Sequence, residues 1–241
     1  MSTEFAIANV HPGKLNALVK NIMRQTGEAD PNEAVRLVNS GEWVVSRSIR
    51  SWREEDGVIY FSVTSPTHEE LLKSLPPGAE TTNPLGEAWI ARLESQGACV
   101  GDYAKQVLRS PSFVPTSGVT TKVAVLKGML FEESDRITKK IRAFAAAFRT
   151  PDKRKLSKPN AELACLIRLK FTDKEIEAMG LWYIVAMHEP IDDSNGGLRL
   201  LHESCGVVDG RLFRARSGRS YRRWLRFHGF AFAVSQVSSQ P

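Results

Sequence analysis

The stretch LWYIVAMHEPIDDSNGGLRLLHESCGVVDGRLFRARSGRSYRRWLRFHGFAFAV, residues 181–234, decides the fold. It contains four runs of strand-like length and composition, Leu181 to His188, Leu198 to Glu203, Arg211 to Arg216 and Trp224 to Val234. Asp192 to Gly197, Asp209-Gly210 and Ser217-Gly218 separate the runs with turn formers, so four strands joined by turns predict an antiparallel meander. In the last run Phe227, Gly229, Ala231 and Ala233 interleave with His228, Phe230, Phe232 and Val234. Neither face is strongly polar, and burial on both sides is expected.

Upstream, a period of two holds over Val44 to Arg53 and Val58 to Thr64, separated by Glu54-Glu55-Asp56-Gly57, which reads as a hairpin with an Asp-Gly turn. A further strand is expected over Val119 to Lys127, after the Pro- and Ser-rich loop Ser110 to Gly118. Between the strands the pattern is helical. Thr67-His68-Glu69-Glu70 and Thr172-Asp173-Lys174-Glu175 are capping boxes, Asn83-Pro84 opens a helix closed by Gly97, and Asp102 opens another that ends near Ser110. Ile137, Ile141, Phe144 and Phe148 form the apolar stripe of a basic helix that Pro151 breaks, and a second apolar helix runs from about Pro159 to Lys170. Two short helices precede all of this. Leu15, Leu18, Val19, Ile22 and Met23 mark the first, and Asp30-Pro31 starts the second, which stops at Ser40-Gly41. The expected organisation is a helical pair over residues 1–41, an α+β domain over 42–235 built on a mainly antiparallel sheet with helices packed to one side, and a frayed tail over 236–241.

With 42% hydrophobic and 25% charged residues over 241 positions, the composition is that of a globular protein. The longest apolar run, Leu181 to Met187, falls far short of the roughly 20 residues of a membrane span. Glu4 and His11 interrupt any signal-peptide core, so a cytoplasmic location and no membrane partner are expected. Cys99, Cys165 and Cys205 are odd in number and widely spaced. They suggest neither a disulfide framework nor a metal knuckle, and Cys165 is expected in the core.

Several strings carry a likeness to other chains: Gly41-Glu42-Trp43-Val44-Val45, Tyr60-Phe61-Ser62-Val63-Thr64, Pro115-Thr116-Ser117-Gly118-Val119-Thr120, Lys158-Pro159-Asn160-Ala161-Glu162, the run from Gly180 to Pro190, and Gly229-Phe230-Ala231-Phe232. Through them the chain, over roughly residues 41–235, resembles an uncharacterised family of bacterial proteins. The resemblance implies no activity, cofactor or site. This chain departs from that pattern by extra length around Phe144 to Pro151 and by its arginines between Arg211 and Arg226.

Charge layout carries the functional expectation. Residues 135–170 hold 11 Lys and Arg against 3 Asp and Glu, and residues 196–241 hold 8 against 2, whereas residues 171–195 hold 1 against 6. Two basic blocks could meet a polyanion on local surfaces although the net charge is only +6. The C-terminal block is all arginine and has aromatics within it, which suits bidentate phosphate contact and base stacking. The expected nucleic-acid contacts are Arg214, Arg216, Arg222, Arg223 and Arg226, with Tyr221 as a stacking residue and Lys139, Lys140, Arg142, Lys153, Arg154 and Lys155 as an auxiliary patch. Against this stands an ordinary solvated face whose arginines pair with the acidic segment 171–195.

Two other readings compete. His188, Glu189, Asp192, Asp193, His202 and Glu203 end neighbouring strands and could gather as a metal-assisted hydrolase site, although neither spacing is a ligand motif. A protein-interaction or self-association module without chemistry would use the acidic and basic segments as complementary surfaces. No G-x-S-x-G elbow or P-loop string occurs, and no cofactor is expected.

Overall fold

The computed structural model describes residues 13, 16, 19, 20, 23, 30–40, 51–75, 78, 81–206 and 210–235. The chain divides into two compact units, Met1–Arg50 and Ser51–Pro241. In the first, residues 13, 16, 19, 20 and 23 are helical, and α1 spans Pro31–Asn39 with proline at its first position. Asn32 N donates to Asp30 Oδ1 at 2.9 Å, the side-chain capping that the sequence predicts. The strand expected over Val44 to Arg53 lies outside the described residues up to position 50, as does the tail 236–241.

The second unit is built on a sheet of β1 (Arg53–Glu55), β2 (Val58–Thr64), β3 (Ala98–Val100), β4 (Thr120–Lys127), β5 (Leu156–Ser157), β6 (Tyr183–Ala186), β7 (Ile191–Asp192), β8 (Leu198–Gly206), β9 (Gly210–Ser217) and β10 (His228–Val234). Its helices are α2 (His68–Leu72), α3 (Pro84–Ser95), α4 (Asp102–Arg109), α5 (Thr138–Ala147), α6 (Glu162–Lys170) and α7 (Asp173–Ala178). None of the described helices is long and apolar enough to cross a membrane. Both expected capping boxes are present, Thr67 with Glu70 and Thr172 with Glu175. The β1–β2 turn places Asp56 and Gly57 at positive φ, 49° and 75°, as a tight hairpin requires.

The strand order is β1-β2-β4-β10-β6-β8-β9-β3, with β5 on β10 and β7 on β8. This corrects the expected mainly antiparallel meander: the sheet is mixed. β10 does not return beside β9. It crosses back to lie between β4 and β6, antiparallel to the first and parallel to the second, with His228 opposite Tyr183. β3 is a second parallel pairing, Ala98 to Val100 against Arg211 to Phe213, formed where the sequence shows only a connection between two helices.

The expectation of helices on one side is corrected as well. One face, with Ile59, Phe61, Val125, Ile184, Leu201 and Phe213, packs under α2, α3, α4, α6 and α7. The other, with Val58, Tyr60, Leu126, Val185, Leu200, Phe230 and Phe232, packs against Ile141 and Ala145 of α5 and against Trp224. A sheet covered on both faces explains why β10 carries no polar face; its residues are buried at all positions but Ala233. Burying Phe230 and Phe232 stabilises the fold by about 1.5–3 kcal/mol each. Gly229 has room for nothing larger, since a Cβ there would meet Val125 Cγ1 at 2.6 Å and Leu181 Cδ1 at 2.8 Å.

Candidate anion-binding site

β8 and β9 pair so that His202 lies opposite Arg214 and Leu200 opposite Arg216. Alternation along the strands puts these four on the α5 face, while Leu201, Glu203 and Phe213 go to the other. On its outer side β9 is paired with β3 only as far as Phe213, so Arg214 to Ser217 form a free sheet edge among the described residues. Past Ser217 the chain runs over the α5 face as a strap, residues 219–227, before entering β10.

The start of α5 holds the strap in place. Thr138 N donates to Arg222 O at 3.2 Å and Lys139 N to Ser220 O at 2.9 Å, while Trp224 N donates to Arg136 O at 2.8 Å. Two amides that a helix start leaves without intrahelical partners thus find them in the strap. Trp224 is buried, and its Nε1 donates to Thr138 Oγ1 at 3.0 Å.

Strap and sheet edge together border a groove of 360 Å³ whose lining includes Tyr103, Arg199, His202, Arg214, Arg216 and Arg222. Arg199 is neutralised by Asp193 at 2.6 Å and lies 3.9 Å over the Tyr103 ring. The other three arginines differ. Arg216 lies 5.5 Å over Tyr183 and Arg222 5.7 Å over Trp224, and among the described residues no carboxylate reaches ion-pair distance of Arg214, Arg216 or Arg222. The acidic segment 171–195 is engaged elsewhere: Asp173 with Arg168, Asp193 with Arg199 and Glu189 with Lys158.

Two buried imidazoles sit under these charges. The His202 and His228 rings flank Tyr183 at 5.5 and 4.7 Å, and the Nε2 atom of each is buried without a partner. Burial, with the fields of Arg216 and Arg214, holds His202 neutral down to about 3; burial, with Arg216 and Arg222, holds His228 neutral down to about 4. Leu225 N approaches His228 Nδ1 at a long 3.4 Å. His202 Nδ1 stands 3.5 Å from Glu203 O, too far to fix its tautomer.

The structure brings Arg214, Arg216 and Arg222 of the expected set together and scatters the rest. Arg223 and Tyr221 are exposed on the strap, Tyr221 accepting from Arg219 at 2.8 Å. Arg226 lies 5.3 Å over Phe227. Lys139 is exposed beside the strap and Lys140 is paired to Asp135 at 2.5 Å. Arg142 is turned inward, donating to His188 O at 2.5 Å. Lys153 and Lys155 are exposed, and Arg154 is paired to Asp152. These last three adjoin β5, which meets β10 at Val234, six residues and about 20 Å from His228 at ~3.3 Å per residue. Of the auxiliary patch, Lys139, Lys140 and Arg142 lie in the first turns of α5, and Lys153, Arg154 and Lys155 follow its end before β5.

The hydrolase constellation does not assemble. His202 and Glu203, adjacent on a strand, face opposite sides of the sheet. His188 is a structural residue: its Nε2 accepts from Leu201 N at 3.0 Å and its Nδ1 donates to Glu189 O at 2.6 Å. Among the described residues no three His, Cys, Asp or Glu side chains cluster as metal ligands. Cys165 is fully buried, and burial pushes its thiol well up.

One feature escaped the sequence reading. Because β6 and β10 run parallel from Tyr183 and His228, the preceding residues Trp182 and Phe227 lie side by side, stacked at 4.7 Å and 23° and exposed by 51% and 39%. An antiparallel arrangement would have parted them. Compared with models of protein families, curated proteins and solved structures, the chain matches none of them.

Proposed function

We propose that this chain binds single-stranded nucleic acid, or a polyanion of like spacing, along the β9 edge and the strap. The observation that carries the reading is the convergence of Arg214, Arg216 and Arg222 on one groove without a carboxylate partner among the described residues. Half-buried arginines such as Arg216 and Arg222 normally find an acceptor, and exposed Arg214 adds charge beside them. Here the missing acceptor would be the ligand's phosphate oxygens, which guanidinium forks bind in bidentate fashion. The exposed Trp182–Phe227 stack, with Arg226 over Phe227, supplies the aromatic surface on which unpaired bases stack.

The test is fluorescence anisotropy with a labelled single-stranded oligonucleotide across a salt series. Arg214→Ala with Arg216→Ala should weaken binding at least tenfold and reduce the slope of log K against log salt by about 1.4, from ~0.7 per phosphate neutralised on a single strand. Unchanged affinity and slope would remove the groove from the interface.

A further inference from the structure

We infer that the groove takes a terminal phosphate monoester, the phosphorylated end of a strand, and not the phosphodiester links within it. The inference rests on the polyanion reading above and narrows it. Charge comes first: three guanidiniums without carboxylate partners face a groove of 360 Å³. A single internal diester brings one negative charge and two free oxygens, whereas a monoester carries about −1.5 to −2 at neutral pH and three acceptor oxygens.

Hydrogen-bonding capacity points the same way. His202 lines the groove and is completely buried, yet its Nε2 has no partner, and Arg222 Nε is buried without one too. A buried polar atom left unpaired costs about 1–3 kcal/mol. A third phosphate oxygen reaching the groove would relieve that cost at His202, which would shift its hydrogen to Nε2 by giving up only the long 3.5 Å contact of Nδ1 with Glu203 O. An imidazole kept neutral donates one hydrogen without adding a fourth positive charge to the cluster. The strap carrying Arg222 is tied to α5 and borders the groove on one side, which fixes where that guanidinium meets the phosphate.

The experiment compares one single-stranded 10-mer in three forms, 5′-phosphorylated, 3′-phosphorylated and with hydroxyl at both ends, by competition anisotropy at fixed salt. One phosphorylated form should bind at least tenfold tighter than the hydroxyl form, and which one does identifies the end. Arg216→Lys, which keeps the charge and loses the fork, should cut that preference to below about threefold by weakening the phosphorylated form more than the hydroxyl form. His202→Ala should do the same, and Arg216→Lys covers the case in which that buried variant fails to fold. Equal binding of all three forms with a normal salt slope would overturn the terminal-phosphate site and leave the polyanion reading standing. Binding of none would overturn both. A preference that survives Arg216→Lys would place the end elsewhere and overturn the assignment.

Discussion

Two neighbours on one strand, His202 and Glu203, open onto regions that treat arginine in opposite ways. On the Glu203 side Arg168 is fully buried, donates to Phe171 O at 2.7 Å and pairs with Asp173 at 2.8 Å, and Arg211 reaches Gln96 O at 3.0 Å and Arg168 O at 2.5 Å. These guanidiniums close off helix and strand ends whose carbonyls would otherwise lack donors. Glu203 itself, with both oxygens buried and unpartnered, is pushed well above the ordinary carboxylate range by burial, so it is held neutral. On the His202 side three arginines meet neither carbonyl nor carboxylate among the described residues. The lesson is that arginine content says little and partner accounting says much: cations satisfied from within serve the fold, and cations left over are available to something outside.

The contrast breaks most visibly in stability. Arg168→Ala strands Asp173 next to a buried space and should cost about 3–5 kcal/mol in urea unfolding, whereas exposed Arg214→Ala should stay within about 0.5 kcal/mol. Equal costs would abolish the distinction. In binding the order reverses: Arg214, Arg216 and Arg222 replaced together by Ala should lower oligonucleotide affinity by roughly 100-fold and the salt slope by about 2, while Lys153→Ala with Lys155→Ala changes affinity less than twofold.

Acid tests the imidazoles. His188 and His228 keep their protons only near 4 and His202 near 3, against an ordinary 6.5, so the unfolded chain binds more protons than the folded one between these values. Their stabilisation is fully present above about pH 6.5 and is lost as pH falls, with a slope of up to about 1.4 kcal/mol per pH unit for each ring. Glu203 and Glu162, raised by burial, act in the opposite sense, favouring the fold below the ordinary carboxylate value. Three rings outweigh two carboxyls, so urea midpoints should decline from pH 6.5 to 4.5; midpoints that rise with acid over that range would mean that the rings are not held neutral. The smallest expected effect sharpens the binding face: Trp182→Ala should reduce affinity about fivefold, the lower range for one stacked base, with the salt slope unchanged.

Much of the second unit was legible because its signals are local. Thr67, Thr172 and Asp56-Gly57 each specify a cap or turn through their own chemistry, and the alternation of Val58 to Thr64 or Phe230 to Val234 needs no partner to be read. Strand order is not local. Nothing near Gly229 states that it joins Ile184 in parallel register, and Ala98 to Val100 is too short to show a period. The arginines illustrate the same limit at the site. Arg211, Arg214 and Arg216 look alike in sequence, and only the fold shows that the first is spent on carbonyls while the others flank a groove. Trp182 and Phe227, 45 positions apart, become one surface only through that parallel pairing.

The place of β10 has a consequence for biosynthesis. Residues 228–234 leave the ribosome after every other described strand, yet they form the seam between β4 and β6. Until they arrive, a β1-β2-β4 half and a β6-β8-β9 half each expose an apolar edge competent to pair with a stranger. The β1-β2-β4 half, complete once Lys127 is made, keeps that edge open for about the next hundred residues until β10 follows, the interval in which holdase chaperones matter most, and a premature stop before Phe230 leaves the halves with no zipper to join them.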